Sequence, residues 1–285
     1  MLDPFLKWAG GKRWLAQSSR WLFPTVYERY VEPFLGGGAI FFSERPDHAV
    51  LSDSNPRLIA TYKAIRDDWE AVVHHLADYA ANHSDAYYYE ARKGKRDSTA
   101  AEAARFIYLN RTCWNGLYRV NLKGEFNVPR GSKTKILMEM DDFPGIAKAL
   151  SAATLGVMDF EIALDGAKLG DFVFLDPPYT VSHNNNGFLK YNENIFSWAD
   201  QQRLKEAAVK AAGRGASVLV LNAKHSSIES LYENVGCHHV VARHSVISAQ
   251  SKHRKEVEEI AIQIGYRTEK AASTRTLSRE ALRHS

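Results

Sequence analysis

Phe172-Val173-Phe174-Leu175-Asp176-Pro177-Pro178-Tyr179 is the stretch that decides how this chain folds. Four consecutive apolar residues suit a strand covered on both faces, which belongs to a parallel sheet flanked by helices. The strand must stop at the proline pair, because neither proline donates a backbone hydrogen bond and both have a fixed φ. A carboxylate, a carbonyl and an aromatic ring are then held together at the strand end, where open parallel sheets bind ligands. An acceptor-only carboxylate beside a main-chain carbonyl suits an exocyclic amine. Its two N–H groups go to Asp176 and the Pro177 carbonyl, and its ring stacks on Tyr179. The plain alternative is a strand terminator with a core tyrosine; the acid before the prolines and the aromatic after them weigh against it.

Working outward, other short apolar runs also end in polar or glycine-rich residues. Tyr30-Val31 leads into Glu32-Pro33-Phe34-Leu35-Gly36-Gly37-Gly38, and Ala49-Val50-Leu51 ends at Ser52-Asp53. Leu155-Gly156-Val157-Met158 ends at Asp159, and Ser217-Val218-Leu219-Val220-Leu221 at Asn222. With helical stretches between them, these runs predict an α/β fold with a mostly parallel sheet. Ile260, Ile262, Ile264 and Tyr266 alternate with other residues, after Val240-Val241 and Val246-Ile247, which predicts an antiparallel C-terminal edge. The tail after Tyr266 is assigned no function.

Residues 58–148 break the alternation and read as an inserted domain, which splits the remainder into 1–57 and 149–285. Leu58, Tyr62, Ile65, Trp69, Val72, Leu76 and Tyr79 form one helix stripe. A second helix is predicted from Thr99, with Glu102 as the far half of a capping box and Ala103, Phe106 and Ile107 turned inward. Beyond it, residues 117–122 and 125–128 are expected to pair across a two-residue Lys123-Gly124 turn.

The turn Phe34-Leu35-Gly36-Gly37-Gly38 follows a strand, and Asp53 ends the next strand 17 residues after Gly36. Glycines let a ligand approach the backbone, and an acid at that distance can accept both hydroxyls of a ribose. The pair suits an adenosine-containing ligand, although such a turn alone is more often a structural connection. Gly10-Gly11-Lys12 lacks the spacing of a phosphate-binding loop.

Composition excludes some classes and leaves others. The chain has 285 residues, 45% of them hydrophobic, and a net charge of +4 from 37 Lys and Arg against 33 Asp and Glu. That charge decides nothing about nucleic acid, so any affinity must come from where the basic residues sit. Cys113 and Cys237 make neither a disulfide framework nor a zinc cage and point to a reducing compartment. No apolar run reaches the roughly 18 residues of a membrane helix, and no secretory leader pattern opens the chain, so neither membrane nor secretion is expected.

Five motifs occur in one order: Phe5-Leu6-Lys7-Trp8-Ala9-Gly10-Gly11-Lys12; Glu32 to Gly38; Leu51-Ser52-Asp53-Ser54-Asn55; Asn115-Gly116-Leu117-Tyr118-Arg119 with Gly124 to Pro129; and Asp176-Pro177-Pro178-Tyr179. Together, from about Phe5 to Tyr266, they resemble the DNA adenine methylase family, methyltransferases of adenine N6 with this tetrad and an inserted recognition domain. The resemblance implies a Rossmann-like methyltransferase sheet with a helical and hairpin DNA-recognition domain at 58–148. It also implies S-adenosyl-L-methionine as methyl donor, no metal, double-stranded DNA as substrate, and a target adenine flipped from the duplex.

Roles carry over where residues match. Trp8 and Lys12 enclose the cofactor, with Lys12 suited to its methionine carboxylate. Phe34, Gly36 and Gly38 form the close-approach turn, Asp53 holds the ribose, and Asp159 and Phe160 take the position that meets the cofactor's adenine. Asp176, Pro177 and Tyr179 are the catalytic set, with Asp176 also beside the cofactor. In the hairpin, Arg119 is suited to a guanine edge and Asn115 to a base edge, Lys123 and Arg130 to phosphates, and Trp114 to the space an extruded base leaves. Lys7 is a further DNA contact, with Lys252, Arg254 and Lys255 as lesser candidates.

The polar stretch 180–197, with Phe188, Tyr191 and Phe196, is expected to act as a lid. Methylation of RNA or of a protein amide, and a silent DNA-binding regulator, are the rivals. The basic hairpin weighs against the first, and intact Gly36, Asp53, Asp176 and Tyr179 against the second. The expected location is the cytoplasm, with the DNA. The recognised bases, a homodimer and a partner restriction endonuclease are left open.

Overall fold

The structure is a computed structural model that describes residues 2–121, 123–181, 196–244 and 256–266. Val246-Ile247, Lys252, Arg254, Lys255, Leu122, residues 182–195 of the expected lid and the tail after Tyr266 lie outside the described residues. The chain forms two compact units, Met1–Arg20 with Glu32–Phe160, and Trp21–Val31 with Glu161–Ser285.

The strands are β1 (Arg29–Glu32), β2 (Ala49–Asp53), β3 (Ala153–Val157), β4 (Asp171–Leu175), β5 (Ser217–Ala223), β6 (Cys237–His244) and β7 (Glu256–Ile264). They make a seven-stranded sheet in the order β3-β2-β1-β4-β5-β7-β6. β2 with β3, β1 with β4 and β4 with β5 are parallel, whereas β7 runs antiparallel to both β5 and β6. The α/β class and the antiparallel C-terminal edge are as expected. All of β4 and the inner residues of β5 are buried, as continuous apolar runs require. β3 differs: Thr154 and Val157 are exposed while Ala153 and Leu155 are buried, because this strand is the outer one of the sheet.

In the first unit, α1 (Arg13–Ser18) and α2 (Ala39–Glu44) are short, and α3 (Pro56–Asn82) is long. Asn55 caps α3, its Oδ1 accepting from the Arg57 and Leu58 N–H groups at 3.1 and 3.3 Å, and Pro56 sits where a missing donor costs nothing. The apolar stripe breaks once. Asp68 is non-helical (φ −157°, ψ 68°), and its carboxylate accepts from the Ala71 N–H at 3.1 Å, restarting the helix. Trp69, just past the break, is only half-buried, while Leu58, Tyr62, Ile65, Val72, Leu76 and Tyr79 are buried.

α4 (Asp85–Lys93) and α5 (Thr99–Thr112) follow. Ser98, not Thr99, caps α5, accepting from the Ala101 N–H at 3.1 Å. The expected capping box is absent: with Ser98 as the cap the third helical position is Ala101, and Glu102, one residue further on, binds the buried Arg105 guanidinium. Ala103, Phe106 and Ile107 face inward as expected. α6 (Phe143–Ser151) follows and leads into β3 within the same unit.

Arg111, at the end of α5, is 1% exposed and every donor group is met. It binds Asp141 twice, at 2.6 and 2.7 Å, and donates to the Phe5 and Ile136 carbonyls. In the second unit α7 (Phe160–Asp165) begins beside its boundary, α8 (Trp198–Gly213) starts at a capping box of Ser197 and Asp200, and α9 (Ser226–Leu231) follows β5. Among the described residues no helix is long and apolar enough to cross a membrane.

Removing one partner of the Arg111 pair leaves a buried charge uncompensated. Asp141→Ala is expected to lower the unfolding free energy by about 3–5 kcal/mol. Urea denaturation checks this, and a loss below about 1 kcal/mol would show that the guanidinium is satisfied by the carbonyls alone.

Candidate functional site

The first unit holds a glycine turn fixed from three sides. Gly36 and Gly38 have φ of +48° and +66°, and Gly38 opens α2. A Cβ at Gly36 would stand 2.7 Å from Trp8 Cδ1, and one at Gly38 would stand 3.0 Å from Phe42 Cε2, so both conformation and space demand glycine. The Gly36 N–H donates to Asp53 Oδ2 at 3.1 Å, and the Asn55 N–H to Asp53 Oδ1 at 2.9 Å. From α3, the Tyr62 hydroxyl donates to the Gly36 carbonyl at 3.0 Å.

Burial raises the Asp53 pKa above the ordinary carboxylate range, and the two N–H groups only partly oppose it. Burial, then the charges of Glu32 and Asp53, push the Tyr62 hydroxyl well up, which keeps it a donor. Trp8 is half-buried against this turn and stacks on Tyr118. Phe34 and Phe160 stack at 5.6 Å between centroids, with Phe160 buried and the neighbouring Asp159 exposed. Lys12 is buried and donates to the Gly10 carbonyl at 2.8 Å.

The tetrad lies in the second unit, directly after β4. Tyr179 donates its hydroxyl to Glu259 Oε2 on β7 at 2.8 Å. Gln201 of α8 reaches the Thr180 and Pro178 carbonyls at 3.4 and 3.5 Å, and Asn222 of β5 donates to Gln201 Oε1 at 3.0 Å. Gln201 and Asn222 are fully buried, so two amides hold the chain just past the prolines. Neither Gln201 nor Glu259 was found by sequence reasoning. Glu259 follows Glu256 and Glu258 on its strand and so did not stand out, and neither did Gln201 inside an ordinary helix.

The hairpin forms by single bridges, Val120 to Phe126 and Cys113 to Arg130. Its turn is closed by Asn121 and Glu125 rather than by a two-residue loop. The Asn121 N–H donates to the Glu125 carbonyl at 2.9 Å, and Asn121 Oδ1 accepts from the Lys123 and Glu125 N–H groups. That side chain wraps the turn and sets its longer span. Trp114 is 54% exposed, and Asn115, Arg119 and Lys123 are exposed beside or beyond it. Arg119 donates to Asn127 Oδ1 at 2.8 Å, and Arg130 is paired with Asp85 at 2.9 Å.

Lys7 is half-buried, and its ammonium donates to the Arg111 carbonyl at 3.3 Å. Burial, then the adjacent Lys133 ammonium, lowers its pKa from 10.5 to about 8. Lys133 was not singled out in the sequence; the run Gly131-Ser132-Lys133-Thr134-Lys135 was its only signal.

Residues 8–246 match the family described as D12 class N6 adenine-specific DNA methyltransferase. The chain is 36% identical over 270 residues to a type II methyltransferase, M1.LlaDCHI, of Lactococcus lactis, covering 92% of this chain and 95% of that protein. It is 32% identical over 261 residues to the DNA adenine methylase of Vibrio cholerae, with 90% and 94% covered. The DNA adenine methylase of Escherichia coli K12 is 31% identical over 260 residues, with 90% and 93% covered. The chain belongs to the D12 class of adenine-specific DNA methyltransferases and is an enzyme that methylates N6 of adenine in DNA. The family implies S-adenosylmethionine as the methyl donor. A turn that only glycine can form, beside an acid with two acceptor oxygens and a stacked aromatic pair, has the chemistry to fit its adenosine part.

A base whose folded pKa lies below its unfolded value favours the fold more as pH rises, here between about 8 and 10.5. Lys133→Gln removes the second cation and is expected to move the Lys7 titration upward, followed by NMR of the lysine side chain. A Lys7 pKa still near its original value would assign the whole shift to burial.

Proposed function

We propose that the residues described above divide the reaction between them. Around the glycine turn, Asp53 accepts the ribose hydroxyls, Gly36 and Gly38 leave the backbone open to close approach, and Trp8 covers the turn. Phe34 and Phe160 border the adenine with Asp159 beside them, and Lys12 neutralises the methionine carboxylate. The clasp of Gly36 by Asp53 and Tyr62 is the observation that carries this reading, because it holds the acceptor carboxylate against a turn with no side chain to obstruct a ligand. When bound, S-adenosylmethionine supplies a methyl group carried on a cationic sulfur.

Asp176 and the Pro177 carbonyl accept the two N–H groups of the adenine amine, and the Tyr179 ring stacks on the base. Two acceptors of this kind favour a more pyramidal nitrogen and leave its lone pair available. Positioning supplies most of the rate, so no strong base and no metal are called for. The Tyr179 to Glu259 bond and the Gln201 to Asn222 amides hold the tetrad in place. Residues 58–148 are the target-recognition domain, with the remainder of the chain catalytic. There Arg119 and Asn115 read base edges, Lys7, Lys123 and Arg130 meet phosphates, and Trp114 fills the gap left by the flipped adenine. The type II name of the Lactococcus relative favours a setting beside a restriction endonuclease.

Incubating the protein with labelled S-adenosylmethionine and duplex DNA, then mapping modified bases, tests the reading; label confined to adenine N6 is expected, and label in cytosine would overturn it. Asp176→Ala is expected to lower turnover by about a hundredfold or more while DNA binding persists. Turnover close to wild type would remove Asp176 from its role.

Asp53 must be ionised to accept two hydroxyls. Since its pKa is raised, cofactor affinity is expected to decline with falling pH sooner than for an ordinary aspartate. Calorimetric titration with S-adenosylhomocysteine across the acidic range measures this, and an affinity independent of pH there would exclude an ionised Asp53 as the ribose acceptor.

A further inference from the structure

Three of the four residues Phe5 to Trp8 are tied to the end of α5 and the hairpin. The Phe5 carbonyl accepts from Arg111, the Lys7 N–H donates to Asn110 Oδ1 at 2.8 Å, and Asn110 Nδ2 donates to the Lys7 carbonyl at 2.7 Å. Asn110 also donates to the Gly116 carbonyl at 3.3 Å, and a Cβ at Gly116 would stand 2.8 Å from Lys7 Cβ. These are fixed contacts. The Trp8 contact is of another kind: its indole stacks on the Tyr118 ring at 5.8 Å between centroids and 22° between planes, and both side chains are only half-buried.

Each ring has a second commitment. Trp8 lies so close to the glycine turn that a Cβ at Gly36 or Gly37 would come within 2.7 or 3.1 Å of it. Tyr118 meets Phe106 of α5 and Phe126 of the opposite hairpin limb at 5.3 and 5.9 Å, and it precedes Arg119 in the chain. One pair of stacked rings therefore joins the turn to the hairpin.

We propose that Tyr118 is a positioning residue whose stack on Trp8 couples occupancy of the glycine turn to duplex binding by the hairpin. The inference rests on the assignment of the turn to the cofactor and of the hairpin to DNA. A ligand seated on the turn confines the indole; the confined indole restricts Tyr118, and with it the backbone that carries Arg119. Each ligand thereby meets part of the ordering cost that the other faces, so the effect is reciprocal. Apolar stacking provides this without a charge, and loss of the ring removes it.

Calorimetry on the full chain tests the proposal, with S-adenosylhomocysteine and a duplex fragment that the wild-type enzyme methylates as probes. The wild type is expected to bind each probe about tenfold more tightly when the other is present. In Tyr118→Leu and Tyr118→Met, two ring-free variants of different shape, both enhancements are expected to drop below about twofold, whereas Tyr118→Phe keeps them. Thermal unfolding identifies any variant that has lost its fold. A ring-free variant that is folded and keeps the wild-type enhancement overturns the proposal, as does a wild type that binds both probes independently. A wild type that binds no S-adenosylhomocysteine would instead defeat the assignment of the turn, and the coupling with it.

Discussion

The bond from the Gly36 N–H to the Asp53 carboxylate is the constraint around which the first unit is arranged. It fixes the loop after Glu32 to the end of β2, and the Tyr62 hydroxyl on the Gly36 carbonyl fixes the same peptide to α3. With both sides of that residue engaged, the turn cannot relax toward ordinary backbone angles, and the space above it is left to Trp8. Both Asp53 oxygens are used in shaping the turn, and burial of this carboxylate is what raises its pKa.

The tetrad in the second unit is held differently. Instead of one carboxylate on a glycine turn, a relay of neutral amides runs from Asn222 through Gln201 to the carbonyls after the prolines. Prolines leave their neighbours' carbonyls without the usual ladder partners, and buried carbonyls must find donors elsewhere. Gln201 and Asn222 meet that need while adding no charge beside Asp176.

Much of this was legible in the chain and some was not, for physical reasons. The strands ending at Asp53 and Asp176 announced themselves because burial on both faces demands unbroken apolar runs, and Gly36 and Gly38 because only glycine fits their φ. Three local features were hidden. Ser98 and Thr99 are adjacent residues that both cap helices, and a Glu three residues after Thr99 pointed to the wrong one of the two. The Asn121 side chain lengthens the hairpin turn through bonds that residue spacing does not encode. Gln201 matters through tertiary contacts alone. The stack of Trp8 on Tyr118 belongs to the same class, since nothing in either residue's neighbourhood in the chain points to the other.

The break in α3 at Asp68 also divides one helix into two mechanically separate parts. The half before it is locked in phase by Tyr62, whose hydroxyl must reach Gly36. The half after it begins afresh at a side-chain cap, so its rotational phase and length are set by its own packing against α5 and not inherited from the turn. The two halves of α3 therefore need not share one helical phase, and the register on which the glycine turn depends ends at Asp68.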